Sequence, residues 1–161
     1  MSTVAFTVPG IAAPAGSKRG FYNKKAGRVI ITDDNARSRP WKALVSDAAL
    51  EAMHGRNLLD GPLLLELTFW MPRPKGHYGA GRNAAVVKNS APWAPAVKPD
   101  LLKLARGVED ALTGIVYRDD AQVVCETLEK AYTVGQARTV VRVVPIAGPP
   151  RAEPVRDVEE P

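Results

Sequence analysis

The chain has 161 residues, 45% of them hydrophobic and 24% charged, which is enough for one domain with a buried core and argues against global disorder. Its formal net charge is +5, but residues 148–161 hold two arginines against four carboxylates, so this tail carries −2 and the preceding residues carry +7. A basic body favours a polyanionic partner, and the sequence offers neither a roughly 20-residue apolar membrane span nor a signal peptide, so we expect a cytoplasmic protein without a membrane partner.

The first third of the chain predicts a strand, a hairpin and a helix. The strand covers residues 3–8, and the hairpin joins 21–23 to 28–32 through the basic turn Lys-Lys-Ala-Gly. Apolar residues then recur at helical spacing between positions 41 and 52, and Ser38 is the expected N-cap. This pattern predicts a helix of about four turns.

A strand and a long irregular segment follow. Residues 62–71 place apolar side chains at alternate positions, which predicts a strand with one face in the core. Residues 72–97 are rich in Pro, Gly, Arg, Lys and Asn and show no sustained periodicity. Such a length is uncommon for a structureless loop unless it is functional, so we expect a mobile loop that contacts substrate.

A second helix is predicted over residues 100–113, and Gly114 is expected to end it. Its apolar residues recur at helical spacing, so one stripe of the helix should be buried. This stripe consists of Leu101, Leu104, Ala105, Val108 and Leu112.

The last regular elements are predicted to be strands. Residues 123–132 and 139–144 predict a final antiparallel pair, in which Cys125 is expected to be small, buried and unreactive. The whole pattern predicts an α+β fold with a mainly antiparallel sheet and two principal helices, in a single domain over residues 1–147. The Pro-rich charged tail over residues 148–161 is expected to be disordered.

Isolated carboxylates stand among basic residues between positions 98 and 123. Asp100 begins the second helix, and the pair Asp119 and Asp120 comes just before a strand. Oxygen-only carboxylate ligands suit Mg²⁺, with Mn²⁺ as a possible substitute, and the neighbouring cations suit a phosphate that completes the coordination. The pattern therefore predicts metal-dependent phosphodiester chemistry, although Asp100 could instead cap the helix and the other two could serve a turn.

Three short motifs in this region resemble the signature of the RusA family, the phage and prophage Holliday junction resolvases. They are Lys-Pro-Asp at 98–100, Asp-Ala-Leu-Thr-Gly at 110–114 and Asp-Asp-Ala-Gln-Val at 119–123, and the weaker resemblance extends over residues 4–144. It implies a RusA-like fold and a Mg²⁺-dependent endodeoxyribonuclease of the bacterial or phage-infected cytoplasm. Such an enzyme resolves four-way junctions by paired symmetric nicks in DNA recombination and repair.

The resemblance and the helical spacing together assign roles to five residues of the predicted site. It carries a catalytic, metal-binding aspartate onto Asp100 and another onto Asp120, with Asp119 as a neighbouring or alternate ligand. The functional lysine of the family helix falls on Arg106, and Lys103 lies near the same helix end as Asp100, so either cation could contact the scissile phosphate. The alternative for both cations is a solvated helix face.

The sequence departs from the family pattern at Leu102, where the family has a second aspartate. A site built on the family plan is therefore one carboxylate short. Asp119, Glu66 or Glu126 could substitute, a water could fill the position, or the protein could bind junctions without cutting them well. Asp110 is expected to lie outside the site, because it is roughly 15 Å along the helix axis from Asp100.

Basic residues on predicted hairpins and loops are expected to contact the DNA backbone, although charge runs are often only solvated. They are Lys18, Arg19, Lys24, Lys25, Arg28, Arg73, Lys75 and Lys98. Two symmetric cuts need two sites, so we expect a homodimer bound to branched DNA. The competing hypothesis is a junction-binding DNA protein with a decayed or weakened nuclease site. A plain single-stranded DNA- or RNA-binding module is disfavoured, because the acidic motif would repel phosphates without a metal.

Overall fold

A computed structural model of the protein describes residues 2–16, 18–33 and 35–148, with side chains omitted at a few positions of the hairpin. Nearly all of the predicted tail lies outside these ranges. The helices and strands in chain order are β1 (Val4–Pro9), β2 (Lys18–Asn23), β3 (Arg28–Asp33), α1 (Ser38–Ala52), β4 (Leu63–Pro72), α2 (Leu101–Leu112), β5 (Val123–Thr133) and β6 (Arg138–Pro145). Single 3-10 turns occur at Lys75–His77, Gly81–Asn83 and Asp120–Gln122. Neither α1 nor α2 is long and apolar enough to cross a membrane.

The main sheet has the strand order β1-β6-β4-β5, and β2 pairs only with β3 in a separate hairpin. Strand β6 runs antiparallel to β1 and β4, whereas β5 runs parallel to β4. The α+β prediction with a mainly antiparallel sheet and two principal helices is confirmed. The predicted pairing of the last two strands is wrong, because β4 lies between β5 and β6.

The alternating pattern of β4 buries one of its faces. Leu63, Leu65, Leu67, Phe69 and Met71 are all buried on one face, at 9% exposure or less. Both helices pack against this face, and fully burying each such side chain contributes about 1.5–3 kcal/mol. The opposite face of the sheet carries no helix among the described residues.

The helices largely follow the predicted pattern. Leu104, Val108 and Leu112 of α2 are fully buried, as expected, and Gly114 follows the helix with a φ of +79°. The predicted N-cap of α1 is wrong by one residue: Ser38 is the first helical residue and is buried, and Arg37 occupies the capping position without a side-chain bond.

Cys125 is exposed, contrary to prediction. Strand β5 lies at the edge of the sheet, and a register shift between Leu63 and Leu64 sets Cys125 opposite Leu64. Cys125 therefore lies on the sheet face that points away from the helices. An apolar run in a sequence does not distinguish an edge strand from a central one.

The segment 72–97 is also better organised than expected. Tyr78 and Val87 form an isolated bridge, and the amide of Lys88 donates to the His77 carbonyl at 2.9 Å. A Cβ at Gly79 would lie 2.6 Å from the carbonyl oxygen of Asn83, so only glycine fits there. Local turns satisfy the backbone hydrogen bonds of this segment. Because turns have neither a helical nor a strand period, the periodicity of the sequence did not indicate this structure.

Candidate functional site

Asp100 lies at the capping position of α2, but its side chain makes no capping hydrogen bond. The carboxylate is 57% exposed and lies 3.7 Å from the Nζ of Lys103. The capping alternative is therefore not realised, and the carboxylate remains available to a ligand.

A lysine of β5, whose side chain lies on the helix side of the sheet, holds the backbone before Asp100. Lys130 Nζ donates to the carbonyl oxygens of Val97 at 2.7 Å and Pro99 at 2.9 Å. On the other side, the amide of Ala15 donates to the Lys103 carbonyl at 2.8 Å. A cleft of about 340 Å³ lies between these segments, lined by Pro14, Lys98, Pro99, Asp100 and Lys103. Asp100 thus opens onto a cleft with two lysines at its wall.

Asp119 and Asp120 lie in the turn that precedes β5. The Asp119 carboxylate accepts a hydrogen bond from the amide of Ala121 at 2.9 Å, and Gln122 Oε1 accepts from the Asp119 amide at 3.2 Å. Asp119 therefore caps the 3-10 turn, which is the role in a turn that the sequence offered as the alternative to metal binding. Asp120 is exposed, and its carboxylate has no hydrogen bond or ion pair within the described part of the chain.

One chain does not bring Asp100 and Asp120 together. Lys130 holds Pro99, the residue before Asp100, near the far end of β5, whereas Asp120 lies just before the start of this strand, and the seven residues from Val123 to Lys130 span about 23 Å. Two ligands of one Mg²⁺ have oxygens within about 4 Å of each other, since each bond is about 2.1 Å long. Among the described residues, no three His, Cys, Asp or Glu side chains are grouped so that they could hold a metal ion.

Glu109 and Glu126 form an acidic cluster with Asp120. Burial raises the pKa of Glu109, and the charges of Glu126, Asp120 and Asp110 raise it further. Burial also raises the pKa of Glu126, which lies opposite Leu65 on the helix side of β5. Glu126 was already expected as a possible substitute for the missing carboxylate, whereas Glu109 was not, because its place beside Glu126 depends on the packing of α2 against β5.

We predict that Glu109→Gln raises the melting temperature at pH 7.5. A raised pKa means that the folded state holds the proton more tightly than the unfolded state does. The ionised glutamate therefore destabilises the fold as the pH rises above 4.5, the ordinary pKa of a glutamate. The stabilisation should shrink towards pH 4, where both states are protonated. Thermal melts in EDTA at both pH values measure it, with the exposed Glu51→Gln as the matched control. A lower melting temperature of Glu109→Gln at pH 7.5 would contradict this explanation.

The remaining acids and helix cations are distributed away from Asp100. Asp110 forms an ion pair with Lys42 of α1 at 2.5 Å, which agrees with the expectation that it lies outside the site. Glu66 pairs with Arg142 on the sheet face opposite the helices, so it does not replace the carboxylate missing at Leu102. Arg106 is exposed, and its charge lowers the pKa of Glu109, so it lies towards the Glu109 neighbourhood.

The predicted DNA-contacting residues fall into two groups. Lys24, Lys25 and Arg28 are exposed at the tip of the β2–β3 hairpin, where Gly27 adopts a φ of +61°. Lys75 and Lys98 are also exposed, whereas the side chains of Lys18 and Arg19 lie outside the described part of the structure.

Arg73 differs from the other predicted DNA-contacting cations, because its guanidinium is used inside the protein. It donates to the Pro92 carbonyl at 2.8 Å and lies 4.5 Å from the centre of the Tyr132 ring. The side chain is half-buried, so much of its hydrogen-bonding capacity is directed inward.

Comparison with known proteins gives two matches. The family model described as endodeoxyribonuclease RusA matches residues 12–144, which contain Asp100 and Asp120. A Bacillus subtilis (strain 168) protein named uncharacterized protein YqaN is 30% identical over 135 residues, which cover 83% of this chain and 90% of that protein. The two matches each span most of the described fold.

Proposed function

Because this chain belongs to the endodeoxyribonuclease RusA family, we propose that it is a metal-dependent enzyme that resolves Holliday junctions by paired symmetric nicks during DNA recombination and repair. The observation that carries the proposal is the exposed, uncapped carboxylate of Asp100 in a cleft lined by Lys98 and Lys103. A carboxylate flanked by cations suits a metal that bridges protein and phosphate. The proposed place of action is the cytoplasm of a bacterial or phage-infected cell.

Magnesium is the proposed cation, with manganese as a substitute. The donors Asp100 and Asp120 supply only oxygen, which fits a hard divalent ion, but in one chain they lie too far apart to share it. When bound, the ion would stabilise charge on the phosphate and lower the pKa of the attacking water. Lys103 would contact the phosphate beside Asp100.

The same separation supports a homodimer with two composite sites. If Asp100 of one chain meets Asp120 of the partner subunit, a two-fold axis generates two equivalent sites. Two sites are what paired symmetric cuts require. Arg106 and Glu126, which both lie near Glu109, would then approach the site from the chain that supplies Asp120. Asp119 would stabilise the turn that presents Asp120.

Binding of the DNA arms is proposed to use the exposed hairpin cations Lys24, Lys25 and Arg28 together with Lys75 and Lys98. Each such residue would displace counterions from the phosphate backbone, so binding should weaken with salt. Arg73 is a weaker candidate, because its guanidinium already bonds to Pro92.

A second candidate function is a junction-binding protein whose nuclease site is weakened. The observation that favours it is Leu102, whose side chain is 71% exposed at the position of the family's second aspartate and has no oxygen to donate. Under this alternative, binding of four-way junctions would survive while cleavage would not.

One cleavage experiment separates the two functions. We expect a labelled four-way junction to be nicked at symmetric positions in Mg²⁺ or Mn²⁺, while linear duplex of the same sequence stays intact. Excess EDTA should abolish cutting, because without a cation nothing offsets the charge of Asp100 and Asp120 beside the phosphate or activates the attacking water. Undiminished cutting in EDTA would exclude the metal mechanism, and tight junction binding without cutting in either metal would favour the second function.

A further inference from the structure

Trp93 is the most exposed large apolar side chain among the described residues, at 90% exposure. The other two tryptophans are covered. Trp41 is buried in the core, and Trp70 is half-buried with the guanidinium of Arg138 5.0 Å from its ring. An indole has a large apolar area, so contact with a partner stabilises it more than most side chains, and a fully exposed indole is typical of a contact site.

The backbone on both sides of Trp93 is fastened. Arg73 Nη1 holds the Pro92 carbonyl at 2.8 Å, immediately before the tryptophan. Pro95 is buried, and Lys130 Nζ holds the Val97 carbonyl at 2.7 Å. These contacts fix the backbone around the indole, so the folded segment itself holds Trp93 in an exposed position.

The fastening points also place the segment that carries Trp93 at the same end of β5 as Asp100. Arg73 lies over the ring of Tyr132, and Lys130 is two residues earlier on the same face of β5, a spacing of about 7 Å. Lys130 holds Pro99 as well, the residue directly before Asp100. Both ends of the segment 92–99 are therefore held at one end of β5, next to the cleft of Asp100.

The cleft at this end of β5 is cationic. Lys98 and Lys103 line the cleft beside Asp100, and the residues before position 148 carry a net charge of +7. Cations that hold a phosphate backbone next to an exposed aromatic ring form the usual arrangement for binding an unstacked nucleobase. Bases at the branch point of a junction cost less to unstack than bases inside a duplex.

We propose that Trp93 stacks on an unstacked nucleobase at the branch point and so positions the adjacent phosphate at the Asp100 cleft. The proposal rests on the proposed function for its choice of branched DNA. It makes Trp93 a positioning residue, because the indole touches the base and acts on the reacting phosphate only through it.

The test compares Trp93→Ala and Trp93→Phe with the wild-type protein and with Leu50→Ala, a truncation of an exposed apolar residue on α1. Binding is measured in EDTA to a four-way junction with 2-aminopurine at the branch point and to linear duplex. Trp93→Ala should bind the junction at least about tenfold more weakly and lose the 2-aminopurine signal, with duplex binding unchanged. Trp93→Phe should retain most of both, and Leu50→Ala all of both.

Sedimentation velocity on the same samples distinguishes the other possible occupant of Trp93. A Trp93→Ala protein that no longer dimerises would overturn the proposal in favour of a contact between chains, and unchanged junction affinity with an unchanged signal would also overturn it. Because these assays need no cleavage, a wild-type protein that binds the junction but cuts in neither metal overturns only the proposed enzymatic function. The Trp93 comparison still decides the stacking role in that case.

Discussion

Asp100→Asn and Asp120→Asn should each lower junction cleavage by more than about a hundredfold, since loss of even an outer partner of a metal ligand costs roughly 10–100-fold. Each change removes a carboxylate charge at nearly constant size, and both side chains are exposed, so folding and junction binding should persist. Cleavage time courses on a labelled junction, beside gel-shift titrations, measure the two effects. Asp110→Asn is the control, because its partly exposed ion pair with Lys42 should contribute little to stability.

A mixture of the two inactive variants tests whether the site is composite. In a mixed dimer, the chain with Asp120→Asn supplies an intact Asp100, and the chain with Asp100→Asn supplies an intact Asp120. One of the two composite sites is then complete, so co-refolded variants should nick one strand of the junction without resolving it. Complete inactivity of verified mixed dimers would show that both aspartates act within one chain or at separate sites.

Leu102→Asp should lower the Mg²⁺ concentration needed for half-maximal cleavage by about tenfold, because it adds the carboxylate that the family pattern has at this position. The 71% exposure of Leu102 makes the change tolerable, since a new carboxylate there stays hydrated. A negative charge in the first turn of α2 also interacts favourably with the helix dipole. Metal titrations of cleavage, read beside thermal melts, measure the effect.

Leu102→Asn is the matched control, because it offers an oxygen without a charge. It should shift the metal requirement much less than Leu102→Asp does. If Leu102→Asp stays folded and needs as much metal as the wild-type protein, another residue already completes the coordination. Glu126 would then be the first residue to substitute, given its position near Asp120.

Local pattern in the sequence determined much of this molecule. The alternation of β4 predicted that one of its faces is buried, and the helical spacing of α2 predicted its buried stripe, because burial follows directly from the period of each element. The motifs around Asp100 and Asp120 predicted the family, because their order and spacing survive without any knowledge of the fold.

Other features depend on residues that are distant in the chain, and only the tertiary structure decided them. The insertion of β4 between β5 and β6 left Cys125 on an exposed edge, and the packing of α2 against β5 brought Glu109 near Glu126. Arg73 became an internal anchor because Pro92 and Tyr132 converge on it. Strand neighbours and converging side chains are selected by the burial of the whole sheet, and no local period encodes that choice.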